Sequence, residues 1–242
     1  MASRVLSLGL LAAALLAAAQ ARAAEPIAVP LLPHPTAAVG VVLRDGVGMC
    51  TGSLIAPDLV LTAAHCAQGV DPAGPGARLR FRTGAYPGLA PVELPAARIV
   101  LHPLYPADGE PAGVERRTGY DLALVRLSGP VPGTAAMPLV PSREAVVEPR
   151  LLIASYRGGS GERARERTCP VIDATDRMIR MGCDVRPGES GAPVLQWGAD
   201  GLVIVGVLSA RAEDGPQKLA IAAGSARIGQ LQALMGPDLR AP

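Results

Sequence analysis

Three residues that are far apart in the sequence have the types and surroundings of a hydrolytic triad. His65 lies in Thr62-Ala-Ala-His-Cys66, Asp121 opens an apolar run, and Ser190 lies in Gly188-Glu-Ser-Gly-Ala-Pro193. A serine hydroxyl attacks a carbonyl only when a neighbouring imidazole removes its proton, and a buried carboxylate keeps that imidazole in the correct tautomer. We therefore predict Ser190 as the nucleophile, His65 as the general base and Asp121 as the residue that orients it.

The order of these residues along the chain separates folds that share this chemistry. In an α/β-hydrolase the histidine follows the serine, but no histidine follows His102 in this sequence. Gly188 and Gly191 permit a tight turn in which the backbone amides of Gly188 and Ser190 converge on an oxyanion. We interpret His34 as an exposed loop residue and His102 as a structural residue at a surface corner.

The segments around these residues resemble short strands. Apolar stretches separated by Gly and Pro turns favour an all-β barrel or sandwich over alternating strands and helices. The clearest helical pattern is at 225–235, and the charged segment 156–168 is interpreted as an exposed loop with solvated charges. Strands are predicted at 39–43, 49–55, 59–62, 77–82, 92–101, 122–127, 151–156, 170–171, 178–183, 193–196, 202–208 and 218–223. Arg44-Asp45-Gly46 is predicted to form a hairpin turn between the first two strands.

The first 23 residues have the organisation of a secretory signal peptide. Arg4 is followed by an apolar stretch and then by the small residues around Ala23. A membrane anchor is the alternative, but the stretch is shorter than the ~20 residues that a spanning helix needs. We expect a secreted or periplasmic protein without a stable membrane anchor, in which the Pro-rich residues 24–37 form a surface arm.

Four cysteines in an exported chain predict two disulfides. Cys50 with Cys66 and Cys169 with Cys183 are the local pairs among the three possible pairings. Their spacing does not favour zinc ligation, and no phosphate loop or cofactor motif is visible, so neither a metal nor a cofactor is expected. A net charge of +2 gives no indication of nucleic-acid binding. We expect a monomer that acts on a peptide or protein substrate.

Several motifs resemble the chymotrypsin/trypsin family of serine endopeptidases, over residues 38–235. The resemblance implies two six-stranded antiparallel Greek-key barrels with a C-terminal helix, with the triad in the cleft between them. It places a protease domain at 38–242, with the first barrel at about 38–130 and the second at about 131–242. The motifs are Thr62-Ala-Ala-His-Cys66 with Cys50, Ile99-Val-Leu-His-Pro-Leu-Tyr105, Asp121-Leu-Ala-Leu, Gly188-Glu-Ser-Gly-Ala-Pro193 and Val205-Gly-Val-Leu-Ser209.

Some residues depart from the trypsin pattern, and they resemble a bacterial branch similar to glutamyl endopeptidases. No Ile-Val-Gly-Gly activation sequence is present. In trypsin-like zymogens a freed N-terminal amine pairs with the acid before the nucleophile, a place that Glu189 holds in this chain. Either Glu189 binds another group, or the amine left by signal cleavage near Ala24 reaches it.

The resemblance also suggests three substrate-binding residues. Asp184 lies six residues before Ser190, where trypsin binds basic side chains, whereas in the bacterial branch an Asp at this place need not face the substrate. Ser209 ends the strand that pairs with the substrate backbone. Arg211 stands where trypsin-like proteins prefer Gly, and it either narrows the pocket, pairs with acidic substrates or neutralises Asp184.

Two functions from different classes fit these patterns. The first is a secreted serine endopeptidase that works through an acyl-enzyme and the triad His65, Asp121 and Ser190. The alternative is a catalytically silent trypsin-like fold that acts as a binding or regulatory module, which Glu189, Arg211 and the missing activation sequence favour.

Overall fold

The computed structural model describes residues 34–74, 78–86, 89–144, 146–161 and 163–236. The predicted signal peptide and residues 24–33 of the predicted arm lie outside this part of the chain. The rest of the arm lies only partly at the surface, because His34 and Pro35 are exposed but Thr36 and Ala37 are fully buried in the 3₁₀ turn Pro35–Ala38. No helix in the described ranges has the length and apolarity needed to cross a bilayer.

Six antiparallel strands close into a first barrel in the order β1-β2-β3-β6-β5-β4. The predicted hairpin turn between the first two strands is confirmed, since Asp45 and Gly46 have φ values of 52° and 81° that such two-residue turns require. Alternating inward residues such as Leu61 and Leu124 fill the interior. The strands are β1 (Val39–Arg44), β2 (Val47–Ala56), β3 (Leu59–Thr62), β4 (Leu79–Thr83), β5 (Glu93–Leu101) and β6 (Ala123–Leu127).

A second six-stranded barrel follows. Its strands run in the order β11-β8-β9-β10-β13-β12, and pairing of β11 with β12 closes it, while the short β7 adds to β12 in parallel. The strands are β7 (Val140–Pro141), β8 (Arg150–Ser155), β9 (Arg165–Ala174), β10 (Met178–Met181), β11 (Pro193–Gly198), β12 (Gly201–Asp214) and β13 (Gln217–Gly224). Two six-stranded antiparallel barrels with a C-terminal helix form the chymotrypsin-like fold, as predicted.

The prediction of an exposed loop over 156–168 is wrong in its second half. Residues from Arg165 onward belong to β9, where Arg165 pairs with Ser155 and Thr168 pairs with Leu152 of β8. Arg165 and Glu166 are exposed, as expected for solvated charges, but Arg167 is only partly exposed, because successive side chains point to opposite faces of a strand. One of these charges, on Arg167, has a buried partner that is described below.

In the part of the chain that the structure describes, three short α-helices complete the fold: α1 (Ala64–Ala67), α2 (Val114–Gly119) and α3 (Ile228–Met235). The predicted C-terminal helix is confirmed, with its first turn, Ser225–Arg227, in 3₁₀ form. Although α3 follows the second barrel in sequence, Arg98 of β5 donates hydrogen bonds to the carbonyls of Leu234 and Met235 at 3.2 and 3.0 Å. These bonds satisfy carbonyls that a helix end leaves without partners, so the last helix is held against the first barrel.

Both predicted disulfides are present. Cys50 of β2 is joined to Cys66 of α1, and Cys169 of β9 is joined to Cys183, in the segment that leads to the Gly188 turn. Each bond therefore fixes one of the segments that carry the predicted triad. Disulfides persist in oxidising compartments outside the cytosol.

Candidate active site

Strand pairing brings His65 and Asp121 together. The end of β3 lies beside the start of β6, with Thr62 opposite Ala123 in the antiparallel register. His65 comes three residues after Thr62, and Asp121 comes two residues before Ala123. Because antiparallel partners leave and enter the barrel at the same edge, the two side chains emerge at one place, although 56 residues separate them in the sequence.

The Asp121 carboxylate is buried and fully engaged. Its side chain is 3% exposed, and Oδ2 lies 2.7 Å from Nδ1 of His65. The backbone amide of His65 donates to Oδ1 at 2.9 Å, and the hydroxyl of Ser209 donates to Oδ2 at 2.6 Å. These contacts fix the imidazole in the tautomer that carries its proton on Nδ1 and leaves Nε2 to accept one.

Burial and the carboxylate act in opposite directions on His65. Burial lowers the pKa of the imidazole, but the hydrogen bond and the negative charge of Asp121 raise it, and the net pKa lies above the usual 6.5. The imidazolium that forms when His65 accepts a proton is therefore stabilised by Asp121.

The remaining histidines lie elsewhere. His34 is exposed, as predicted, and its ring stacks on Tyr86. His102 is not at a surface corner as predicted, because it is 1% exposed and its Nε2 lies 3.2 Å from the amide oxygen of Gln230. Gln230 belongs to α3, so this helix covers the imidazole of His102.

Ser190 lies in the loop before β11, in a turn that packs against the first barrel. Its carbonyl accepts a hydrogen bond from the amide of Thr51 on β2 at 2.7 Å. Gly191 has a φ of 82°, and a Cβ there would lie 2.1 Å from the carbonyl oxygen of Thr51 and 3.1 Å from the amide of Ala63. Only a glycine permits this close approach, which sets Ser190 beside the segment that leads into His65.

The predicted oxyanion amides belong to the same turn. Gly188 has a φ of 92°, and a Cβ there would lie 2.4 Å from the amide nitrogen of Gly159. The Gly188 carbonyl accepts a hydrogen bond from the hydroxyl of Thr51 at 2.9 Å. Neither the amide of Gly188 nor that of Ser190 donates to another of the described residues, so both are available to a ligand.

Glu189, between these two residues, is fully buried yet charged. Burial alone would raise the pKa of its carboxyl, but hydrogen bonds from the side chain of Arg167 and the amide of Arg186, with the Arg167 charge, bring the net pKa below its usual value. The Arg167 guanidinium lies 2.7 Å from Oε2. Arg167 belongs to the segment that was predicted to be a solvated loop, so the interpretation of its charge was wrong.

A cavity of about 220 Å³ opens beside Ser190, between residues 185–187 and residues 208–211. Of the predicted substrate-binding residues, Ser209 and Arg211 line it. Ser209 sits at an irregularity in the pairing of β12 with β13, and its hydroxyl is bonded to Asp121. Asp184 forms an ion pair of 2.6 Å with Arg186, so the suggested neutralisation of Asp184 by Arg211 is wrong. None of the described residues that line the cavity carries a carboxylate.

The sulfur atoms of Cys50 and Cys66 lie within 4.8 Å of a His65 ring nitrogen. This spacing resembles a metal cluster, but both sulfurs are in a disulfide and cannot supply the thiolates that zinc binds.

Two further residues, Thr51 and Arg167, support the turn and were not predicted from the sequence. Thr51 follows Cys50 on β2, and its side chain is fully buried. A hydroxyl group in a predicted buried strand needs hydrogen-bond partners, and this was the signal in the sequence that could have pointed to Thr51. Arg167 carried no comparable signal, because nothing in the sequence pairs it with Glu189.

Comparison with known proteins agrees with this geometry. Residues 33–230 match the protein-family model described as Trypsin. A trypsin of Simulium vittatum is 30% identical over 188 residues, an alignment that covers 66% of this chain and 69% of the relative. These matches give no support to the predicted similarity with the bacterial glutamyl endopeptidases. Since the family match extends over most of the chain, the protein belongs to the trypsin family of chymotrypsin-like serine proteases.

Proposed function

We propose that this protein is an exported serine endopeptidase that hydrolyses peptide bonds through an acyl-enzyme. The observation that carries the proposal is the buried Asp121, which holds both the ring and the backbone of His65. Such an arrangement keeps the imidazole in the fixed orientation that a general base needs to accept a proton and return it. The proposed protease domain spans 38–242, with the barrels at about 38–130 and 131–242, and acts as a monomer after removal of residues 1–23.

In the proposed reaction His65 accepts the hydroxyl proton of Ser190 on Nε2 while Ser190 Oγ attacks the peptide carbonyl carbon. The amides of Gly188 and Ser190 stabilise the oxyanion that forms. The imidazolium then gives its proton to the leaving amine, and the carbon–nitrogen bond breaks. A water molecule, deprotonated by His65, hydrolyses the ester in the second half of the cycle.

The cavity beside Ser190 is the proposed site for the substrate side chain. Arg186 and Arg211 border it. The ion pair between Arg186 and Asp184 offsets both of those charges, so Arg211 supplies the remaining positive charge at the cavity. An arginine or lysine side chain would therefore meet positive charge, whereas a carboxylate would find charge-assisted hydrogen-bond donors. We propose a preference for acidic residues at the cleavage position, in contrast to the use of Asp184 as a partner for basic side chains.

Labelling by a fluorophosphonate probe tests the proposed activity. The mature wild-type protein is expected to react, and Ser190→Ala, which removes only the nucleophilic oxygen, is expected not to react. If the folded wild type neither reacts nor hydrolyses a general peptide substrate, the proposal fails and the alternative of a silent binding module replaces it.

A further inference from the structure

The carboxylate of Glu189 is completely surrounded by donors from its own chain. Oε1 accepts hydrogen bonds from the Ser155 hydroxyl at 3.0 Å and from Nε of Arg157 at 3.3 Å. Oε2 accepts from Nη2 of Arg167 at 2.7 Å and from the amide of Arg186 at 2.6 Å. Glu189 itself is 0% exposed. Each oxygen therefore has two donors.

This set of donors leaves no room for another cation. An ionised carboxylate offers about four acceptor positions on its two oxygens, and four donors from described residues occupy them. Two of the donors are guanidinium groups, so the single negative charge is already neutralised. An ammonium group from the N-terminus would have to displace one of these groups to reach the carboxylate.

The two arginines are not equivalent. Arg167 is 23% exposed and makes the shorter contact, whereas Arg157 is 43% exposed and makes the longer one. A hydrogen-bonded ion pair is stronger where water is excluded, so Arg167 is the main counter-ion. It reaches Glu189 from β9, the strand next to β8, and Glu189 is covalently fixed between Gly188 and Ser190.

Without Arg167, the buried carboxylate would keep only the longer contact to the more exposed Arg157 as a charged partner. A buried carboxylate that is poorly paired is unfavourable, and this favours its movement toward water. Because Glu189 is in the middle of the turn, such a movement displaces the amides of Gly188 and Ser190 and the nucleophile together. The substrate cavity, formed by 185–187 and 208–211, does not include Arg167. Loss of this arginine is therefore expected to affect turnover more than substrate binding.

We propose that Arg167 is a positioning residue whose ion pair with Glu189 holds the Gly188–Gly191 turn in its active form, so that the protein needs no freed N-terminal amine. This inference rests on the proposed function, because it concerns the catalytic efficiency of the same site. The missing Ile-Val-Gly-Gly activation sequence is then accounted for, since the cation is supplied from within the chain.

The first test compares Arg167→Met, Arg167→Lys and Arg157→Met with the wild type. Arg167→Met is expected to lower kcat about 100-fold, the size of a lost oxyanion donor, with KM changed less than threefold. Arg167→Lys keeps the charge and is expected to recover at least a tenth of the wild-type kcat, and Arg157→Met is the matched control with a loss below tenfold. Wild-type kcat in a folded Arg167→Met would overturn the inference, as would equal losses in all three variants.

The second test does not depend on the folding of a variant. Wild-type protein beginning at Ala24 is compared with the same protein carrying a ten-residue tag before Ala24, both with Ser190→Ala as the inactive control. Equal kcat values support the inference, and a tagged form that becomes active only after the tag is cleaved off overturns it. If neither wild-type form reacts with the fluorophosphonate, the proposed function itself is wrong and the inference falls with it.

Discussion

The backbone amide of Thr51 on the first barrel donates a 2.7 Å hydrogen bond to the carbonyl of Ser190 on the second. The Thr51 hydroxyl donates to the Gly188 carbonyl at 2.9 Å and accepts from the Tyr156 amide at 3.0 Å. One buried threonine thus contacts both sides of the turn that carries the predicted nucleophile.

Replacing this threonine tests that link. Thr51→Val keeps the shape but leaves the Gly188 carbonyl and the Tyr156 amide without a partner, so we expect a loss of about 1–3 kcal/mol in the free energy of unfolding and a fall in kcat. Urea denaturation and steady-state kinetics measure the two effects. Thr51→Ser keeps the hydroxyl and is the control. A kcat of wild-type size in Thr51→Val would show that the turn is held by other contacts.

The pH dependence of activity tests the pair of His65 and Asp121. The neutral imidazole is the base, so kcat/KM is expected to fall as the pH drops through the pKa of His65, with a midpoint above 6.5 because Asp121 raises it. Asp121→Asn removes the raising charge, so the midpoint is expected to move to lower pH, with activity reduced about 10⁴-fold. Ser209→Ala keeps the ion pair and serves as the control. An unchanged midpoint in Asp121→Asn would contradict this assignment.

Acid stability reports on Glu189. Its folded-state pKa is lower than the usual 4.5, so the contribution to stability is present above the unfolded-state pKa and is lost as the pH falls through the folded-state pKa. We expect the wild-type Tm to decrease below about pH 4.5, and Glu189→Gln to have a lower Tm at pH 7 but a shallower decrease in acid. Glu115→Gln, at an exposed position, controls for loss of charge. Parallel Tm curves for wild type and Glu189→Gln would exclude a stabilising ion pair.

Substrate preference tests the charge of the cavity. A peptide library is expected to show cleavage after Glu or Asp in preference to Lys or Arg. Arg211→Gly is expected to reduce kcat/KM for acidic substrates by about tenfold or more, the range of a hydrogen bond to a charged group, with little change for neutral ones. Arg211→Lys keeps the charge and is the matched control. If the wild type instead cleaved after Lys or Arg, Asp184 would have to break its ion pair with Arg186 and bind the substrate.

The parts of the fold that depend on neighbours in sequence were predictable. A continuous apolar run from Leu59 to Leu61 predicted strand β3 at its observed bounds, and Asp45-Gly46 marked the first hairpin. The triad could be predicted because each proposed member lies in a short motif. The start of β9 was not recognisable, since its side chains have polar partners across the sheet and within the second barrel. Whether a charge such as Arg167 is solvated or buried depends on what faces it, here a residue 22 positions away.

The predicted base and its carboxylate belong to one barrel, and the predicted nucleophile belongs to the other, joined by hydrogen bonds from Thr51. A small separation of the barrels would therefore leave every strand and every reactive group intact and still abolish turnover. Under mild heat or denaturant, loss of activity should precede loss of β-sheet content, and peptide hydrolysis becomes a sensitive gauge of how closely the two halves of the molecule are docked.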